Sequence, residues 1–185
     1  MKKSEKKWMS LMKKQSLILS NFVIILFFFS FSFSYSADTK SISGKTDVID
    51  GDTIKIETQS IRLVGIDAPE KKQLCKKPYL SLFIFTFSKS YPCGETSTKS
   101  LKKFINDQII LCKIEEKKYF FKRYLGTCFK DKVNINSWLV KNGHALAFRK
   151  YSKKYLNEEL YAKNNKIGLW QGTFQMPWEW RKKNK

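Results

Sequence analysis

The chain has 185 residues, with 36 lysines and arginines against 16 aspartates and glutamates, a formal charge of +20 at pH 7. Residues 37–185 are enough for one domain able to bury a real core. The charge excess points to polyanionic partners, which reward lysine and arginine through counterion release; the competing explanation is a compositional bias of a chain rich in Lys, Asn, Ile and Phe.

Residues 1–36 have the three-part layout of a secretory signal peptide. Six lysines (Lys2, Lys3, Lys6, Lys7, Lys13 and Lys14) precede an apolar run over 17–33 with "VIILFFF" at its centre, and small residues precede a cut after Ser36. This predicts a secreted or periplasmic protein. The competing reading is an uncleaved anchor that holds the domain outside a membrane, since about 17 apolar-leaning residues approach a bilayer span. Taking six lysines and Glu5 from the totals leaves 30 basic and 15 acidic residues in 37–185, so this single domain keeps a charge of +15.

Strand signals come first within it. "KTDVID" and "TIKIE" flank Gly51, and Ile54 and Ile56 alternate with Lys55 and Glu57, the period of a half-buried strand. "SIRLVGI" is apolar at nearly every position, which predicts a strand covered on both faces. "KKPYLSLFIFTFSKSYP" reads as an aromatic loop with a greasy tip; a loop this short is expected to pack on its own domain, with a membrane or partner as the alternative. "GETSTKSLKKFIND" places Leu101, Phe104 and Ile105 on one helical face, and "IILCKIEE" with "RYLGTCF" predicts a strand hairpin.

"NINSWLVKNG" is a helix stopped by Gly143, "HALAF" a short strand, and "NEELYAKNNKIG" a helix capped by Asn157 and carrying Glu158 and Glu159 in its first turn. "GLW" and "MPWEW" are expected to pack this helix on the barrel, and "RKKNK" to fray. The order predicts an α+β fold, mainly β: a five-stranded barrel of the OB type with about three helices.

All four cysteines, Cys75, Cys93, Cys112 and Cys128, follow the export segment, and an even count there predicts two disulfides. Three pairings are open; local spacing favours 75 with 93 and 112 with 128. With no CxxC pair and a single histidine, His144, zinc is a poor candidate. His144 itself reads as a packed or surface residue.

Asp50, Asp52, Asp67 and Glu70 gather in 21 residues of a basic chain, around Arg62. A guanidinium in an apolar strand needs an anionic partner, and a core salt bridge to Asp50 or Asp67 is the bland explanation. A hairpin turning near residues 58–60 would bring Asp52 and Asp67 together, and two close carboxylates repel unless a cation lies between them. Ala68 precedes a proline and is therefore extended, which makes its carbonyl a possible third ligand. An oxygen-only set suits Ca²⁺ or Mg²⁺.

"DGDT" followed by "IRLVGIDAPE" resembles the signature of the staphylococcal nuclease (thermonuclease) family, and the resemblance continues through "CGE", "RYLGTC", "NINSWLVKNGHALAFRKYS", "GLW" and "MPWEW". It implies a Ca²⁺-dependent phosphodiesterase acting on DNA and RNA with little sequence preference; no obligate protein partner is evident in the sequence, and a monomer is expected. It implies Asp52, Asp67 and the Ala68 carbonyl as direct metal ligands, Asp50 acting through water, Glu70 as general base, and Arg62 with Arg123 holding the scissile phosphate. The family's D-R-Y-G-R reads "YFFKR" here; counting back from Asn136 places Arg123 on its final arginine. Phe121 and Tyr151 are candidates to stack on flanking bases. A nucleic-acid-binding module without catalysis is the alternative, and its expected mark, loss of Arg62, Glu70 or Arg123, is absent from the sequence.

Overall fold

The structure, a computed structural model, describes residues 40–118 and 123–184. Residues 1–36, expected to be a signal peptide, and Phe121 lie outside the described residues.

The opening strands β1 (Ser41–Gly44) and β2 (Thr46–Val48) are separated by Lys45 alone. They are followed by β3 (Thr53–Ile56), β4 (Gln59–Leu63) and the short β5 (Ile66–Asp67). A hairpin of β6 (Cys75–Leu82) and β7 (Phe85–Tyr91) leads to α1 (Cys93–Ile105). Next come β8 (Ile110–Lys118), β9 (Arg123–Lys130), β10 (Val133–Asn134), α2 (Ile135–Lys141) and β11 (Leu146–Ala147). The chain ends with α3 (Leu156–Asn164), a 3₁₀ turn (Gly168–Gln171) and α4 (Pro177–Lys183).

The main sheet runs β1-β8-β9-β4-β3-β2, with β10 added to β9. Its two ends are the two halves of one chain segment: β1 hydrogen-bonds β8 and β2 hydrogen-bonds β3. Counting that broken segment once leaves the five strands of the expected OB-like fold. Ile54, Ile61 and Leu63 fill the interior with Leu101 and Ile105 of α1 and Leu139 of α2. In α1, Cys93, Ser97, Leu101 and Ile105 recur every fourth residue and are all buried, the stripe of a helix laid on a core.

Several expectations need correction. "SIRLVGI" is not one strand covered on both faces: β4 alternates between buried and half-buried positions, and a turn at Val64 and Gly65 separates it from β5. Gly65 has φ +75°, and a Cβ there would meet Tyr155 Cε2 at 3.1 Å, so the turn requires glycine. The "KKPYLSLFIFTFSKSYP" segment is a two-stranded hairpin exposed from Pro78 through Ser90, not a loop packed on its domain. Asn157 lies inside α3, whose N-cap position is Tyr155 with no side-chain cap. "RKKNK" does not begin as a frayed end, because Arg181 belongs to α4, a fourth helix.

Both disulfides follow the spacing: Cys75 with Cys93 and Cys112 with Cys128. The second joins residues directly opposite each other in the β8–β9 ladder.

Candidate active site

β3 and β4 form an antiparallel hairpin in which Thr53 faces Arg62. The Asp52 carbonyl accepts from the Leu63 amide at 2.8 Å, which fixes the start of β3 against the end of β4. The chain then turns at Val64 and Gly65 and re-enters as β5, where Asp67 pairs with Leu146 of β11. Buried Asn136 pins the turn: its amide nitrogen donates to the Val64 carbonyl at 2.9 Å and its carbonyl oxygen accepts from the Cys128 amide at 3.1 Å. Arg62 and Asp67 thus meet across a turn that the core holds still.

The cation between the two aspartates is Arg62 itself. Its Nη1 donates to Asp52 Oδ1 at 2.7 Å and its Nη2 to Asp67 Oδ1 at 2.8 Å. The salt bridge expected with Asp50 or Asp67 is therefore made to Asp67 and Asp52. Asp50 accepts from the Asp52 amide at 3.0 Å, shaping the turn. The Ala68 amide donates to Asp52 Oδ2 at 2.9 Å, so in this arrangement Ala68 orients the aspartate through its N–H.

Asp52 is almost fully buried, and burial is the main reason its pKa is pushed up to about 7; Arg62 pulls it down, and the nearby charges of Asp50 and Asp67 raise it. A carboxyl group so placed is short of neutralising charge. The donor chemistry fits a hard divalent cation, since Asp50, Asp52, Asp67 and Glu70 offer oxygen only. Among the described residues, no three such side chains converge on a metal position as they stand. Arginines occupy the carboxylates.

The second of those arginines was missed in the sequence. Arg181 of α4 donates to Asp67 through both terminal nitrogens, at 3.0 and 2.8 Å, and through Nη1 to Glu70 Oε1 at 2.7 Å. Burial works to lower its pKa, but the hydrogen bonds to Asp67 and Glu70 outweigh this and raise it. The "MPWEW" motif that precedes it carries the signal: Pro177 occupies the first turn of α4 and starts the helix that presents Arg181. The Glu70 loop is held from behind as well. Gln73 donates to the Gln175 carbonyl at 2.6 Å, and α1 approaches so closely at Gly94 that a Cβ there would lie 1.8 Å from the Glu70 carbonyl oxygen.

Asp50, Asp52, Arg62, Ala68, Glu70, Arg123 and Arg181 line one pocket of about 380 Å³. Arg123, at the start of β9 and in register with Ser60, also lines an adjoining pocket of about 400 Å³ with Arg62, Phe148 and Tyr151. The structure thus brings Asp50, Asp52, Arg62, Glu70 and Arg123 around one space, with Asp67 buried behind it and Tyr151 next door. Phe148, the last residue of the "HALAF" run, is a further aromatic in this lining. His144 lies apart, its ring against Trp138 with centroids 5.5 Å apart.

The sequence pattern of the staphylococcal nuclease homologue family matches residues 60–172. The chain is 32% identical over 133 residues to the succinoglycan biosynthesis protein ExoI of Rhizobium meliloti, covering 70% of this chain and 65% of that protein. It is 30% identical over 134 residues to the probable staphylococcal-like nuclease CAN3 of Oryza sativa subsp. japonica, covering 71% of this chain and 30% of the rice protein. An uncharacterized endonuclease of Escherichia coli O157:H7 is 30% identical over 142 residues, 72% of this chain and 80% of its own length. The chain therefore spans just under two thirds of the first of these relatives and less than a third of the second.

Proposed function

Because the chain belongs to the staphylococcal nuclease homologue family, we propose that it is an exported, Ca²⁺-dependent hydrolase that cuts phosphodiester bonds in DNA and RNA with little sequence preference. The observation that carries this reading is the one pocket lined by Arg62, Arg123, Glu70, Asp50 and Asp52. A phosphodiester repels a nucleophile and gains negative charge in its transition state. Arg62 and Arg123 offer planar, multiply donating guanidiniums to that charge, a geometry that lysine does not supply. Glu70 takes the proton of the attacking water, a role typically worth 10² to 10⁴ in rate.

Asp52, Asp67 and the Ala68 carbonyl would hold the cation directly, and Asp50 through water. Ca²⁺ fits this set ahead of Mg²⁺, which demands stricter octahedral geometry. When bound, the cation supplies Lewis-acid charge at the phosphate. Asp67 Oδ2 would be open to the cation, and Glu70 Oε1 to a proton, only with Arg181 withdrawn from both, while Arg62 holds Asp67 Oδ1. Two disulfides support an oxidising compartment, as does the layout of residues 1–36.

The test is digestion of single- and double-stranded DNA and RNA by the oxidised protein with Ca²⁺, Mg²⁺ or chelator, beside Glu70→Gln. Cleavage that needs Ca²⁺ and falls by about 10² or more in the variant upholds the proposal. Binding of nucleic acid without cutting faster than Glu70→Gln replaces it with a binding module whose carboxylates serve only their arginines.

A further inference from the structure

The β6–β7 hairpin takes no part in the pocket, and its chemistry is unlike the rest of the surface. Its base is fixed three ways: the Cys75–Cys93 disulfide ties it to α1, Lys76 exchanges two backbone hydrogen bonds with Thr173 at 2.9 and 3.0 Å, and Cys75 is buried beside Leu169. Beyond Pro78 it is bare. Phe83 is fully exposed, Ile84 88% and Phe85 65% exposed, and Leu80, Leu82 and Phe87 stand about half exposed. An isolated two-stranded hairpin is marginal in water, and a contiguous apolar patch of this kind marks a contact surface.

The register sorts the side chains by face. Leu82 faces Phe85 and Leu80 faces Phe87, while Ser81 and Thr86 oppose each other on the other face with their hydroxyl oxygens 3.4 Å apart. Moving from tip to base, the apolar pairs give way to Lys77 opposite Lys89. Like charges directly across a ladder repel. Residues 71–94 contain Lys71, Lys72, Lys76, Lys77 and Lys89 and no aspartate or glutamate to offset them. The lysine pair lies two residues, roughly 7 Å, behind Phe87 at the rise of a β-strand. That spacing matches an apolar wedge set into acyl chains with ammonium groups at the level of lipid phosphates, and exposed Tyr79 stands between the two, where an interfacial aromatic belongs.

We propose that the β6–β7 hairpin is a membrane-docking element that inserts Leu82, Phe83, Ile84 and Phe85 into the interface of an anionic lipid bilayer, with Lys77 and Lys89 on the headgroups. A nucleic acid would satisfy the lysines but leave Leu80, Leu82 and Ile84 without a stacking partner. A second copy pairing edge to edge in parallel would bring the lysine pairs of two hairpins together, and in antiparallel pairing would set the lysines of one beside the apolar tip of the other. The bilayer alone accommodates both the aliphatic tip and the cationic base.

The experiment places a reporter at the tip of the full oxidised chain. Phe83→Trp is compared with the parent protein, which supplies the background of the native tryptophans, and far-UV circular dichroism confirms that the fold is kept. Vesicles of phosphatidylcholine and phosphatidylglycerol with brominated acyl chains are added. The expected result is a blue shift of the added emission and strong quenching by the bromines. Removing Lys77 and Lys89 together as glutamines weakens the vesicle titration about 25-fold, at about fivefold for each basic residue at an anionic surface.

Emission that stays that of a water-exposed indole when vesicles are added overturns the proposal. So does emission already shifted before vesicles are present, which would show the tip covered by residues 1–36 or, if it depends on protein concentration, by a second copy. Quenching by a single-stranded oligonucleotide in place of vesicles would assign the hairpin to substrate. An equal response in uncharged phosphatidylcholine vesicles would overturn the role given to the lysines.

Discussion

Arg181 grips both carboxylate oxygens of Asp67, 114 residues away in sequence, with Nη1–Oδ1 at 3.0 Å and Nη2–Oδ2 at 2.8 Å. Asp67 is wholly buried and Arg181 about one third exposed. A carboxylate without access to water depends on its cations, and here those are Arg62 from the adjoining strand and Arg181 from the last helix. The C-terminal helix is thereby made part of the site's electrostatics.

Arg181→Gln should therefore lower stability in chelator by about 1 to 3 kcal/mol, less than the 3 to 5 usual for breaking a fully buried pair because Arg181 is partly solvated. With excess Ca²⁺ the deficit should narrow, since the carboxylates that Arg181 leaves find another cation. Urea unfolding of both proteins in the two conditions gives the four numbers needed. Equal deficits would show that the guanidinium and the cation do not contend for the same oxygens.

A different effect is expected at the adjoining pocket. Tyr151 is 62% exposed and packs edge-on against Phe148 with ring centroids 4.8 Å apart, so Tyr151→Ala should change stability by no more than about 0.5 kcal/mol. If the pair receives a flanking base, the lost stacking of about 1 to 3 kcal/mol appears as a KM raised roughly 5- to 150-fold with kcat little changed. Phe148→Ala should raise KM and also destabilise, because Phe148 stacks on Trp178 of α4, 5.6 Å away. Steady-state kinetics on a short single-stranded substrate, beside thermal melts, separates the two. A KM untouched by either change would leave the pocket without a substrate role.

The two disulfides close loops of similar length, with separations of 18 and 16 residues, so the chain-entropy account gives each about 3 kcal/mol. Their surroundings differ. Cys112 and Cys128 belong to the main core, whereas Cys75 and Cys93 sit in the smaller cluster at the hairpin base. Cys112→Ala with Cys128→Ala should lower the urea midpoint of the whole domain. Cys75→Ala with Cys93→Ala should act more locally, opening β6 and β7 to hydrogen exchange before the midpoint moves far. Uniform loss of protection in both variants would count against two separate units.

The sequence made the β3–β4 hairpin, the disulfide pairs and the carboxylate cluster legible because each depends on short-range spacing. Alternation at Ile54 and Ile56 sets the strand, Thr53 facing Arg62 follows from the hairpin, and Cys112 opposite Cys128 from the next one. Pro177 announces the last helix, but the role of Arg181 was not legible, because a basic run at a chain end looks solvated whether or not one member reaches back to Asp67. Phe148 was hidden in a strand-like apolar run for the same reason: nothing local says which aromatic faces a cavity. The exposed hairpin broke a general rule, since "LSLFIFTF" should be buried in water and is not.

His144 provides a pH test away from the carboxylates. Its ring lies against Trp138, and burial pulls its pKa below the ordinary 6.5. Above 6.5 the ring is neutral in both folded and unfolded chains, and its contribution to stability is fully present. As pH falls below 6.5 the unfolded chain takes the proton first, so stability is lost until the folded-state pKa is passed. Asp52 runs the opposite way: with a folded pKa raised to about 7 from 3.8, proton uptake favours the folded form as pH falls through that window. His144→Gln removes only the first of these trends. Between pH 7.5 and 5 the parent protein should therefore lose more unfolding free energy than His144→Gln, and subtracting one urea series from the other cancels the shared carboxylates. Parallel curves would mean that the ring protonates equally well folded and unfolded, and that its packing on Trp138 does not keep water from it.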